Sequence, residues 1–213
     1  MKKVLFLIMA LAAIPAFAVK VTTDGKHNLD KVAGKYGEYS ELEIFEKSGK
    51  WYATKKAFKT ETVPLVLEKD GKFSAEFEHE KEIYAYDTRM KALVKLVKDD
   101  TDQIISIELP TGKTKAAVDT NFNMNKVKGY WCDLTGKIVQ KNGKWYIYND
   151  HNDEYAPLTV TKNGFTIKSG DNKGIVKFTF DTRLQTLVKI DEAGNIVDTF
   201  ILKDYCPEGY VQL

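Results

Sequence analysis

The chain holds two arginines among many lysines, and both fall in one tripeptide that occurs twice: Asp87-Thr88-Arg89 and Asp181-Thr182-Arg183, 94 positions apart. Arginine offers a planar fork of donors that matches a carboxylate or phosphate and stacks on aromatic rings, which lysine does not reproduce. Two readings follow for Arg89 and Arg183. One is an anion or carboxylate site in each copy. The other is a structural turn, with the Asp held by backbone amides and the Arg covering a ring such as Tyr36 or Trp131. A repeated position at a strand junction favours the structural reading.

The aromatic pairs Trp51-Tyr52 and Trp145-Tyr146 also recur. Adjacent side chains on a strand point to opposite faces, so one ring of each pair is expected in a core. The other is then free to form a platform for a sugar or peptide. The densest set of potential metal ligands is Asn149-Asp150-His151-Asn152-Asp153-Glu154. Asp150, Asp153 and Glu154 suit calcium, and His151 suits a transition metal. The order lacks the spacing of an EF-hand loop, and the first copy has Ala53-Thr54-Lys55-Lys56 in the matching region. An acidic solvated turn is the reading adopted, with no metal and no cofactor expected.

Nucleophilic and acid–base chemistry find no constellation. His27, His79 and His151 sit in a leading segment, a Glu-rich stretch and the acidic turn, and none accompanies a G-x-S-x-G elbow. No H-E-x-x-H or glycine-rich phosphate loop occurs. The carboxylates mostly alternate with lysines on faces expected to be exposed. The expectation is a non-enzymatic protein with no catalytic residue, the alternative being a hydrolase of unrecognised type.

The compartment follows from the first eighteen residues. Lys2 and Lys3 precede the apolar run Val4–Ile14, then Pro15 and Ala16-Phe17-Ala18. That is the grammar of a secretory signal cleaved after Ala18, too short for a membrane span of roughly 20 apolar residues. A periplasmic or secreted location is expected, with no stable membrane insertion after cleavage. In an oxidising compartment Cys132 and Cys206 are expected to pair, closing a loop of 74 residues worth roughly 4 kcal/mol. The whole chain carries +2, and losing Lys2 and Lys3 leaves the mature chain neutral. A neutral chain without a basic block lacks the electrostatic footprint of a nucleic-acid binder. The expected partner is a protein or a small molecule.

The elements that must position these residues come in two similar series. Ser48-Gly49-Lys50-Trp51-Tyr52 matches Asn142-Gly143-Lys144-Trp145-Tyr146, and Leu93-Val94-Lys95 matches Leu187-Val188-Lys189, each 94 positions apart. Lys31-Val32-Ala33-Gly34-Lys35-Tyr36 echoes Lys126-Val127-Lys128-Gly129-Tyr130-Trp131 at 95. Four matches in one order indicate a duplicated segment. Within each copy, apolar residues alternate on either side of glycine turns, as in antiparallel hairpins. No window after the signal shows a sustained 3.6-residue period.

The expected fold is all-β: a tandem pair of meanders of about seven strands, each a small barrel or a sandwich. A disulfide joining the first and last strands of the second copy favours the barrel. Phe73, Phe77, Phe165 and Phe178 are expected to fill the interiors, which favours surface recognition over carriage of a ligand in a barrel cavity. The expected organisation is a signal peptide at 1–18, a first module with a loose arm at 19–109, a polar linker at 110–125 and a second module at 126–213. Gly34-x-Tyr36 and Gly129-x-Trp131, each with one arginine per copy, resemble lipocalin-like barrels over two residues. The arginine's mid-repeat position and the doubling depart from that pattern, and no membership is assigned.

Overall fold

The computed structural model describes residues 19–37, 41–56, 60–78, 80–98, 101–131, 134, 136–149, 152–168 and 174–203. Residues 1–18, expected to be a signal peptide, and Cys132, Cys206, His79, Asp150 and His151 lie outside them. Among the described residues the regular structure is strand, with three short 3-10 turns. None of them forms a helix long and apolar enough to cross a membrane.

The first half is one antiparallel meander of eight strands: β1 (Gly34–Tyr36), β2 (Leu42–Lys47), β3 (Lys50–Lys56), β4 (Thr60–Leu67), β5 (Lys72–Phe77), β6 (Glu80–Asp87), β7 (Ala92–Leu96) and β8 (Ile104–Glu108). About seven were expected; the three-residue β1 is too short to show a period-2 signal. The two ends of the sheet meet. Tyr36 bridges to Pro110, the Gly37 amide donates to the Leu109 carbonyl at 3.0 Å, and the Thr111 amide donates to the Lys35 carbonyl at 2.7 Å. The sheet is therefore barrel-like, and its edges are paired rather than open.

The second half comprises β9 (Gly129–Trp131), β10 (Lys137–Lys141), β11 (Lys144–Asn149), β12 (Glu154–Pro157), β13 (Thr159–Thr161), β14 (Gly164–Lys168), β15 (Ile175–Asp181), β16 (Thr186–Ile190), β17 (Ile196–Phe200) and β18 (Leu202–Lys203). They form two five-stranded sheets, ordered β12-β11-β10-β9-β18 and β13-β14-β15-β16-β17. Only Leu158 separates β12 from β13, and only Ile201 separates β17 from β18, so the chain crosses between sheets at two corners. Pairing of Leu202 with Trp131 brings the last strand back beside the first.

Local chemistry explains the hairpins. Ser48 and Gly49 take φ of 54° and 73°, and Asn142 and Gly143 take 50° and 75°. Two consecutive left-handed residues make the type I′ turn, whose twist suits antiparallel strands. At Gly164 the constraint is space, since a Cβ there would stand 1.9 Å from the Phe178 carbonyl oxygen. Pro64 and Pro157 pair with Tyr52 and Tyr146 at the strand bends, where a missing amide is tolerated.

Three buried clusters hold the molecule. The first half encloses Phe73, stacked on Tyr84 at 6.0 Å, with Phe77, Ile44 and Leu93. The second encloses Phe165, stacked on Phe178 at 5.0 Å, with Trp131, Ile138 and Phe200. All four phenylalanines expected inside are buried. The third cluster joins the halves. Met90, Val94 and Ile107 from the first pack with Leu184, Val188 and Ile196 from the second.

Two segments differ from their expected looseness. In the leading arm, Val21 and Ile104 exchange backbone hydrogen bonds with Asp102 and Val19, and the His27 ring hydrogen-bonds the Glu68 carbonyl at 2.8 Å. The stretch 110–125 is also held, with Lys115 bridging Asn195 and Val118 bridging Asp181. Polar composition suggested free chain, but these residues find backbone partners across the molecule, which composition does not encode.

Candidate functional site

The two Asp-Thr-Arg tripeptides form the same turn. Asp87 is fully buried at the end of β6; its Oδ1 accepts from the Arg89 and Met90 amides at 3.0 and 2.8 Å, and its Oδ2 accepts from the Thr22 amide at 3.0 Å. Asp181 ends β15 in the same way. It accepts from the Arg183 and Leu184 amides at 2.9 and 2.8 Å and from the Ala117 amide at 2.8 Å. Thr88 and Thr182 then donate to the carbonyls of Thr22 and Ala117, each at 3.0 Å. These bonds pin the arm to the first half and residues 115–118 to the second.

The arginine side chains differ. Arg89 Nη2 lies 3.8 Å from Asp87 Oδ2. Arg183 instead lines a cavity of about 210 Å³ where the halves meet. The cations over aromatic rings are lysines among the described residues, including Lys31 at 5.1 Å from the Tyr86 centroid. The first half gives the cavity Lys31, Tyr36, Tyr86, Lys91, Leu93 and Glu108, and the second gives Arg183 and Leu184. Met90 and Leu184 anchor the adjoining junction cluster at about 1 % exposure. Tyr36 hydroxyl donates to the Val32 carbonyl at 2.8 Å, and burial together with the Glu108 charge pushes its pKa up to about 12. It therefore stays neutral as a wall and donor. Burial also raises the Glu108 carboxyl above its ordinary value, although the Ser106 hydroxyl donates to it at 2.6 Å.

Beyond Glu108 runs a charged network that sequence reasoning missed. Glu82 on β6 is 1 % exposed. It receives Lys55 Nζ at 2.6 Å and Lys95 Nζ at 2.5 Å on Oε1, and the Tyr84 hydroxyl at 2.5 Å on Oε2. Burial opposes its charge, but these three donors outweigh it and hold its pKa below the usual value. Burial, then the Glu82 charge, drives the Tyr84 pKa upward. The expectation that carboxylates alternate with lysines on exposed faces fails at Glu82. Its signal was parity: Glu82 shares the inward face of β6 with Tyr84, two residues on. The second half does not repeat the network. Phe178 holds the register of Tyr84, between a phenylalanine and a lysine on neighbouring strands, so Val176 stands where Glu82 does.

The other expected residues are scattered. Trp51 and Trp145 pack against the first and second cores, and Trp131 lies in the second, donating Nε1–H to the Val127 carbonyl at 2.8 Å. Tyr52 stacks on Phe45 at 5.8 Å, and Tyr146 meets Tyr155 edge-on at 5.8 Å. Tyr155 also contacts Tyr148 at 4.7 Å and carries Lys141 Nζ 3.9 Å from its centroid. Asp153 and Glu154 are exposed, and Asn152 donates to the Glu154 carboxylate at 2.7 Å. Among the described residues no group of three His, Cys, Asp or Glu side chains is placed to hold a metal. Comparison with protein-family models, curated proteins and solved structures finds no match.

Proposed function

We propose that the protein is an exported, non-enzymatic binding protein, built by tandem duplication of one barrel module, whose ligand site is the cavity between the two halves. The observation that carries this reading is the contrast between filled interiors and the cavity at the junction. Phe73, Tyr84, Phe165 and Phe178 occupy the space a barrel carrier would leave open. The junction cavity draws walls from both copies. At about 210 Å³ it suits a small molecule rather than a drug-sized one.

Several paired contacts support the duplication. The ring residue opening each half donates to the carbonyl four residues earlier, Tyr36 to Val32 and Trp131 to Val127. Both Asp-Thr-Arg turns clamp an upstream backbone amide. On this reading residues 115–125 are the second copy's own arm. Export and the Cys132–Cys206 bridge rest on the sequence.

The test is native mass spectrometry of the protein purified from its own cell envelope, followed by thiol alkylation. The expected species begins at Val19, takes up no alkylating reagent without prior reduction, and retains one small molecule. A chain beginning at Met1 contradicts export. A ligand-free chain that gains no thermal stability from envelope small-molecule extracts contradicts the binding role.

A further inference from the structure

The junction cavity has an unbalanced charge. Lys31, Lys91 and Arg183 line it, against the single carboxyl group of Glu108. Among the described residues no ion pair within 4 Å joins any of those three cations to a carboxylate. Lys31, Lys91 and Arg183 are exposed residues at the cavity mouth, whereas the half-buried Lys55 and Lys95 pair with Glu82. The Asp181 carboxylate accepts three backbone amides, as Asp87 does, but Arg183 does not pair with it as Arg89 pairs with Asp87. Apart from Thr114, the remaining wall is apolar or aromatic, and includes Tyr36, Tyr86, Met90, Leu93 and Leu184.

We propose that this cavity binds a small amphipathic monocarboxylate, its carboxylate between Lys31, Lys91 and Arg183 and its apolar part against the tyrosine and leucine walls. The proposal rests on the junction being the ligand site. Arginine receives a carboxylate through two parallel hydrogen bonds, and the lysines add charge without fixed geometry. Three cations against one carboxyl group leave the cavity mouth with an excess of positive charge, which favours an incoming anion. The apolar walls give affinity to the rest of the molecule and select against inorganic anions.

The repeat supplies its own control, because Arg89 occupies the equivalent turn but does not line the cavity. Titration calorimetry of the mature protein with phenylacetate, phenylacetamide and inorganic phosphate is the test. Phenylacetate is expected to bind about tenfold or more tightly than the isosteric neutral amide, and more tightly than phosphate. Arg183→Gln is expected to weaken phenylacetate about tenfold, while Arg89→Gln leaves it unchanged. Lys91→Gln serves as the second variant should Arg183→Gln melt early. Equal binding of acid and amide, or no effect of Arg183→Gln and Lys91→Gln, overturns the carboxylate assignment and leaves the junction site standing. Binding of phosphate as tight as phenylacetate overturns the role of the apolar walls. Absence of binding by both acid and amide at millimolar concentration overturns the junction site itself.

Discussion

At the scale of single residues, Asp87 and Asp181 organise more of the molecule than the arginines beside them. Each buried carboxylate gathers three backbone amides from two separate segments. Truncation leaves those donors without an acceptor in a site closed to water, where an unsatisfied buried donor costs about 1–3 kcal/mol. Asp87→Ala and Asp181→Ala are each expected to lose about 3 kcal/mol in denaturant unfolding, by similar amounts. A loss at one position and none at the other contradicts their equivalence. The tripeptides were legible in the sequence because the repeat flagged them, and the Asp held by amides is the arrangement that turn chemistry suggests. The partition of the two arginines was not legible. It depends on which side of each turn faces the other half, and that is a property of assembly.

At the scale of elements, the interior of the first half is the part sequence hid best. Hairpins, turn residues and the four inward phenylalanines followed from period-2 alternation and Asn-Gly or Ser-Gly turns. The charges on β3, β6, β7 and β8 followed the same alternation, but a charged residue reads as exposed unless its strand parity is traced through to apolar neighbours. Lys55 after Ala53 and Glu82 before Tyr84 carried that signal. Two carboxyls of this interior titrate in opposite directions. Glu82, held low by its donors, contributes stability above the unfolded carboxyl value, and this is lost as acid protonates it. Glu108, raised by burial, is the reverse case: the native state binds the extra proton, so stability falls as pH rises from about 4.5 through its folded value. Glu108→Gln removes that fall while keeping a carbonyl acceptor for Ser106. The variant is expected to melt higher than the wild type at pH 7, with the advantage shrinking to nothing by pH 4. A melting difference that does not change with pH, or a less stable variant at pH 7, contradicts the assignment.

At the scale of the whole molecule, the sequence announced two similar halves but not how they meet. Residues 110–125 read as a linker because their composition is polar, yet they are held by backbone bonds to Asn195 and Asp181. The junction cluster arises from outward residues of β7, β8, β16 and β17, whose apolar character was visible but whose partner was not. Because Met90, Val94, Leu184 and Val188 are all nearly inaccessible there, neither half keeps its own buried surface once the other departs. The most direct test of this shared junction is differential scanning calorimetry of the wild-type protein beside Leu184→Asp, which places an unpaired charge in the cluster of Met90, Val94 and Ile196. The account predicts one cooperative transition for the wild type, and for the variant a lower melting temperature split into two separable transitions. Two independent transitions already present in the wild type, with only one of them shifted by Leu184→Asp, would contradict it.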